Sequence, residues 1–444
     1  MNKLQRILAP LAATLLIIQS SQAEDLLEIY QAALESDPVL SAQQSAFEAA
    51  AESQQQAKAI YRPNISFNAD YTKTKSDVDA SPTSPSASGD FDFDVMSYDL
   101  TLLQPLYRRD YITRLNQAEA ATRRAEAELN QAYQDIILRM AQRYFDVLAA
   151  RDNLEFAEAE KNAISRQLDQ AKQRFEVGLI AITDVHEAQA AYDLATASEI
   201  AAQNTLSISH QALRELTGTL PHKLAGLGED MALATPNPAD LEQWSKSALE
   251  NNFQLIAAEA TAEAAMQGLK QERANRQPKL DLFATYGVND YSGDTSEREE
   301  TNTVLGLQFT VPLYQGGGIT AGVKRANAEL MQARDALEQQ RRATQREASD
   351  AYLSVLAGIS RVKALKQAVT SSESALNATK AGYDVGTRTT VDVLNVRREL
   401  FRTQRDYARA RYDYVLASLR LKQAAGMLSV EDVKQINRWM VNPS

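Results

Sequence analysis

The chain has 444 residues, 44% of them hydrophobic and 24% charged, with a net charge of −11, no cysteine, 17 Gly and 12 Pro. That acidity excludes nucleic acid as a partner, and the missing thiols exclude disulfides, thiolate metal sites and a lipid anchor on an N-terminal Cys. Few helix breakers beside abundant Ala, Gln, Glu, Arg and Leu favour long helices over one compact core.

Residues 1–23 have the form of a signal peptide, because Lys3 and Arg6 precede an apolar run from Ile7 to Ile18 and the small-residue site Ser21-Gln22-Ala23. Beyond it no stretch approaches the roughly 18 apolar residues of a spanning helix, so a bilayer crossing has to be made of strands. A helix is expected from Leu26 to Ile60, ending before Pro63. Strict alternation follows: Ile65, Phe67, Ala69 and Tyr71 point one way, and Ser66, Asn68, Asp70 and Thr72 the other. Lys73 to Asp90 is polar and expected as a loop, after which Tyr98, Leu100 and Leu102 alternate with Ser97, Asp99 and Thr101. This makes a β-hairpin over 64–104 with strands of about ten residues, the length of a tilted membrane strand.

Next comes a helical stretch without proline from Asp110 to Glu176, roughly 100 Å long at the helical rise. It carries heptad-like runs such as Ala125, Leu129, Ala132, Ile136 and Ile164, Leu168, Ala171, Phe175. A turn at Val177-Gly178 leads into a helix of about half that length, Asp184 to Leu216.

The same series then repeats. Helix is expected from Leu241 to Ala274, a hairpin over 279–311 with a loop at Asp290 to Thr301, a long helix from Ile319 to Asp384, a turn at Val385-Gly386 and a short helix from Val391 to Ala425. The clearest echo is FEVGLIAITDV at Phe175 to Val185 against YDVGTRTTVDV at Tyr383 to Val393, where Gly178 and Gly386, like Asp184 and Asp392, lie 208 positions apart. The chain is therefore two copies of one unit, repeat 1 over 24–235 and repeat 2 over 236–444. The repeated phrase marks the tip of a helical hairpin farthest from the strands.

Four strands per chain cannot close a barrel, and open edges in lipid leave backbone groups unpaired at several kcal/mol each. Closure therefore needs several chains. Two give eight strands and a filled interior, and three give twelve with room for water, which suits the inward set Asn68, Asp70, Asp99, Thr285 and Gln308.

RQLDQAKQRFEVGLIAITDV at Arg166 to Val185, AGYDVGTRTTVDVL at Ala381 to Leu394, Asp37-Pro38 and the PLYQGGG run at Pro312 to Gly318 resemble the TolC family of outer-membrane efflux and secretion channels. The resemblance spans essentially the whole chain after the leader. It implies a mainly α fold with a membrane β-barrel: a homotrimer sharing one twelve-stranded barrel, continued by a long α-helical coiled-coil tunnel in the periplasm of a Gram-negative cell. It also implies a gated, non-enzymatic conduit without cofactor, exporting drugs, other small molecules and proteins. Its partners are inner-membrane pumps of RND, ABC or MFS type, reached through a periplasmic adaptor (membrane fusion) protein at the tips around Gly178 and Gly386.

By the same resemblance Tyr383 and Arg388 tie the inner coiled coil to its neighbours, with Thr183 and Asp184 as matching partners, and Asp392 rings the periplasmic aperture. Asn395 stands where the family often has a second aspartate, which weakens cation attraction there. An aspartate at a helix start also acts as a cap worth about 1 kcal/mol, a reading that applies equally to Asp184 and Asp392. Gly316-Gly317-Gly318 lacks the Lys-Ser/Thr of a nucleotide loop, and His186, His210 and His222 lack metal-ligand spacing. The competing reading is a periplasmic coiled-coil tether with incidental alternating segments.

Overall fold

A computed structural model describes residues 24–78, 89–220, 223–229, 231–293 and 297–441. The expected signal peptide, His222 and the centres of both strand-connecting loops lie outside the described residues.

In place of one opening helix there are two, α1 (Leu26–Ser36) and α2 (Pro38–Ala59). Pro38 disfavours helical backbone at Asp37 but suits a first helical position, so the chain breaks and restarts. Asp37 caps the restart, accepting from the Val39 and Leu40 N–H groups at 3.4 and 3.2 Å. β1 (Asn64–Val78) and β2 (Gly89–Arg108) form the first hairpin, followed by α3 (Arg109–Glu176), α4 (Ile182–Thr217) and the two-residue β3 (Gly226–Leu227). Repeat 2 gives α5 (Leu241–Asn251), α6 (Phe253–Ala274), β4 (Lys279–Gly293), β5 (Arg298–Thr310), α7 (Gly318–Asp384) and α8 (Thr390–Ala424). The chain closes with α9 (Val430–Asn437) and β6 (Met440–Val441), which pairs with β3. The break between α5 and α6 falls at Asn252, whose side chain caps the Gln254 and Leu255 N–H groups at 3.0 and 3.1 Å.

Both hairpins join into one antiparallel sheet of order β1-β2-β4-β5, so β1 and β5 are its edges. The register places Ile65, Leu102, Ala284 and Leu305 in one row, and Phe67, Leu100, Tyr286 and Thr303 in the next. On the opposite face the rows are Ser66, Thr101, Thr285 and Val304, then Asn68, Asp99, Gly287 and Asn302. Phe67, Leu305 and Phe309 are each 66–74% exposed, a surface that water does not tolerate in bulk but lipid does.

The strands run 15, 20, 15 and 13 residues, longer than the ten expected, because Lys73–Val78 and Asp290–Gly293 continue the ladder past the apolar rows. Their outward side chains are charged: Lys73 and Lys75 lie 3.4–3.8 Å from Asp92 and Asp94 across the β1–β2 pair. Ladder hydrogen bonds persist where apolar alternation stops, so these residues are strand and not loop.

α3 and α7, 68 and 67 residues, run from the sheet to the Val177-Gly178 and Val385-Gly386 turns. α2 packs on the sheet-proximal half of α3 and α4 on its distal half, while α6 lies against both α3 and α7 and α8 packs along α7. The largest core lies where the shorter helices meet end to end. There Ile29, Met140, Tyr144, Phe145, Leu213, Val355 and Val415 are all at most 2% exposed. Tyr144 donates its hydroxyl to the Ala225 carbonyl at 2.7 Å, tying α3 to the β3 segment, and Trp439 packs against the same core.

Candidate gate at the helical hairpin tips

At each tip the long helix ends in a residue pair that forces reversal. Gly178 and Gly386 have φ of 75° and 82°, left-handed backbone that a side chain would strain. Around them the surface is apolar and open, with Val177, Leu179 and Val385 69–76% exposed.

The two tips diverge just past the turn. α4 begins after Ala181, which has no side chain to cap it, and Asp184 in its first turn lies beside orphan N–H groups. α8 begins after Thr389, whose hydroxyl accepts from the Asp392 N–H at 3.2 Å. The Asp392 carboxylate in turn accepts from the Thr389 N–H at 2.9 Å and sits 3.0 Å from its hydroxyl. This capping box, with Arg388 nearby, holds the Asp392 carboxyl below its ordinary value. Asp392 keeps part of its surface open to solvent, so the cap orients the charge without burying it.

Tyr383 is 8% exposed, packed with Leu376, Val393 and Leu400 in the α7–α8 crossing. Its hydroxyl lies 3.5 Å from Thr390 Oγ1, and its ring face is covered by the Arg174 guanidinium at 4.6 Å. Arg388 folds its stem over Gly382, where an added Cβ would sit 2.8 Å from Arg388 Cγ. Among the described residues, no hydrogen bond joins Tyr383 or Arg388 to Thr183 or Asp184 within one chain. The structure thus brings Tyr383, Arg388 and Asp392 together on one hairpin and leaves Thr183 and Asp184 on the other. Asn395 lies on α8 three residues beyond Asp392, at helical spacing for the same face.

Two residues at this site escape sequence reasoning. Thr389 carries a signal, since Thr-x-x-Asp before an apolar helix is a capping box with a shorter acid. Arg174 carries none, because its contact with Tyr383 crosses between helices of different repeats.

Farther from the tips the hairpins are bound more firmly. Arg397 Nη1 donates to the Ala163 carbonyl at 2.8 Å, Arg405 meets Glu160 at 3.2 Å, and the Tyr412 hydroxyl donates to Asp152 at 2.6 Å. Burial pushes the Asp152 carboxyl up, against the opposing hydrogen bond from Tyr412. No group of metal-ligating side chains occurs among the described residues, and His210 is half-buried with its proton affinity lowered by burial.

An apolar-faced sheet that continues into helical hairpins of this length defines a class of protein: an outer-membrane export duct. The chain belongs to the outer membrane efflux protein family, which matches residues 29–219 and 244–427. It is 39% identical to the outer membrane protein TolC of Vibrio cholerae serotype O1 over 94% of this chain and 93% of that protein. It is 28% identical to the alkaline protease secretion protein AprF of Pseudomonas aeruginosa, over 96% of this chain and 89% of that one. The fold matches the solved outer membrane protein VceC of Vibrio cholerae with a TM-score of 0.76 and 23% identity, covering 90% of this chain and 96% of that one. Family membership makes the chain an outer-membrane export channel and not an enzyme.

Proposed function

We propose that three copies close one twelve-stranded barrel by pairing β5 of each with β1 of the next, and that the α3/α4 and α7/α8 hairpins of all three enclose a periplasmic tunnel. The observation that carries this is the sheet itself. It exposes an apolar face and ends in two unpaired edges of 15 and 13 residues. In lipid each unpaired N–H or C=O costs several kcal/mol, so a single copy is not viable there.

The tunnel serves export of drugs, other small molecules and proteins, driven by an inner-membrane pump. The apolar surface at Val177, Leu179 and Val385, beside Gly178 and Gly386, suits docking of a periplasmic adaptor. Asp392 of each copy converges on the aperture and gathers cations, Asn395 adding none. Arg388 reaches Thr183 and Asp184 of a neighbouring copy as a weak latch, in keeping with the small worth of exposed ion pairs.

Purified protein is expected to migrate as a heat-sensitive trimer and to conduct in planar bilayers, with Asp392→Asn lowering cation preference and Arg388→Ser raising conductance. A stable monomer in detergent that leaves bilayers unconducting overturns the barrel reading and favours a tether.

A further inference from the structure

Tyr383 presents its ring, and not its hydroxyl, to the other hairpin. The ring is held from behind by Leu376, Val393 and Leu400, and its open face carries the guanidinium of Arg174, 4.6 Å from the centroid. Arg174 sits in the last turn of α3, whereas Tyr383 closes α7, so this contact joins hairpins from different repeats. The position in repeat 2 that corresponds to Arg174, 208 residues on, is Gly382, so the tie is made once per chain and has no mirror image.

We propose that Arg174 is a gate-positioning residue: its guanidinium on the Tyr383 ring fastens the α7/α8 hairpin to α3 within each copy and holds the tip shut. The inference rests on the gated-channel reading above and adds an intrachain tie to the latch between copies. A guanidinium over an aromatic face is attracted by the ring quadrupole and stays planar to it, a geometry that survives loss of the hydroxyl. The next polar ties between α8 and α3, from Arg397 to the Ala163 carbonyl and from Arg405 to Glu160, lie progressively farther from the turn. Releasing Arg174 therefore frees the tip while the hairpin stays anchored.

Single-channel conductance of the full-length protein in planar bilayers tests this. Arg174→Gln and Tyr383→Leu, which remove the contact from all three copies at once, are expected to raise the open fraction by at least about three- to tenfold, the range that a single lost cation–π contact supports. Tyr383→Phe keeps the ring and is expected to open less than Tyr383→Leu, and Arg174→Lys, which keeps the charge but loses the planar stacking, to fall between wild type and Arg174→Gln. Chemical restoration guards against misfolding, since the chain has no cysteine of its own. Arg174→Cys should close again when an ammonium-bearing thiol reagent is attached, and not with a neutral reagent of equal size. Wild-type conductance in Arg174→Gln, or a Tyr383→Phe as open as Tyr383→Leu, overturns the assignment, the latter moving the tie to the hydroxyl. A wild type carrying no current removes the channel reading itself, which a conducting wild type with an unresponsive Arg174→Gln does not.

Discussion

The two repeats share a backbone plan and differ in chemistry at each corresponding joint. At the break in the opening helix, repeat 1 places Asp37, 4% exposed and bound by the Arg139 guanidinium, where repeat 2 places Asn252, which caps its helix and donates to the Ala424 carbonyl at 3.1 Å. In the core, Tyr144 donates its hydroxyl to the Ala225 carbonyl while its counterpart Tyr352 is packed without such a bond among the described residues. At the tip, Phe175 is 41% exposed and Tyr383 is 8% exposed, and α4 starts uncapped where α8 starts with a capping box. Repeat 1 is thus tied most firmly at its core end and repeat 2 at its tip. The repeated plan sets where the helices turn, and the residues at each joint set how firmly that joint is tied.

The largest test of that division lies at the helix break. Asp37→Ala removes two N–H partners and leaves Arg139 without its carboxylate. Removing one member of a buried pair costs several kcal/mol, and Arg139 is 39% exposed, so about 2–3 kcal/mol is the expected loss. Asn252→Ala loses a cap and one neutral hydrogen bond, about 1–2 kcal/mol. Thermal unfolding of the two variants should show Asp37→Ala melting lower, and equal losses would end the claim that repeat 1 is anchored more strongly here.

Tyr144→Phe and Tyr352→Phe sharpen the same contrast in the core. The first strands the buried Ala225 carbonyl, at about 1–1.5 kcal/mol, and the second is expected to be close to neutral. A denaturant midpoint that moves equally in both would place the asymmetry elsewhere.

Acid separates two carboxylates whose shifts have opposite signs. Burial opposes ionisation of Asp37, but the hydrogen bonds and charge of Arg139 and the Leu40 and Val39 N–H groups outweigh it and hold its pKa below 3.8. Its contribution is therefore complete above the unfolded value and is lost only as pH falls through the depressed one. Asp152 behaves inversely. Burial raises its pKa above 3.8, so over the interval between those values the folded state holds a proton that the unfolded state has lost, and stability falls as pH rises. Asp152→Asn, which still accepts from Tyr412, should remove that slope, at most about 1.4 kcal/mol per pH unit. An unchanged pH profile in the variant would show that Asp152 is solvated.

Much of this plan is legible in the sequence for definite reasons. Gly178 and Gly386 mark the tips because left-handed backbone has few other solutions, and Ile65 to Tyr71 mark a strand because apolar and polar side chains alternate strictly there. The far ends of the strands are not legible, since Lys73 to Asp77 is polar on both faces and only the partner ladder keeps it extended. Heptad spacing places Phe175 on the same seam as Leu168 and Ala171, yet those are buried and Phe175 is not, because the seam opens at the turn. Arg174 and Tyr383 meet across helices from opposite repeats, and no local pattern encodes a contact of that kind.

The smallest expected effect bears on the tips most directly. Ala181 and Thr389 are corresponding N-cap positions, and only the second offers an oxygen to orphan N–H groups. Thr389→Ala should cost α8 about 1 kcal/mol and release the Asp392 carboxylate from its cap, while Ala181→Thr should stabilise α4 by a similar or smaller amount, with Asp184 already placed three residues on to complete a second box. Hydrogen exchange at the first turns of the two helices reads both changes locally, where a global melt does not. Protection should fall at 390–393 in the first variant and rise at 182–185 in the second. If exchange at the α4 start is already as slow as at the α8 start in the unmodified protein, the tips are equally ordered and the asymmetry argued here does not extend to them.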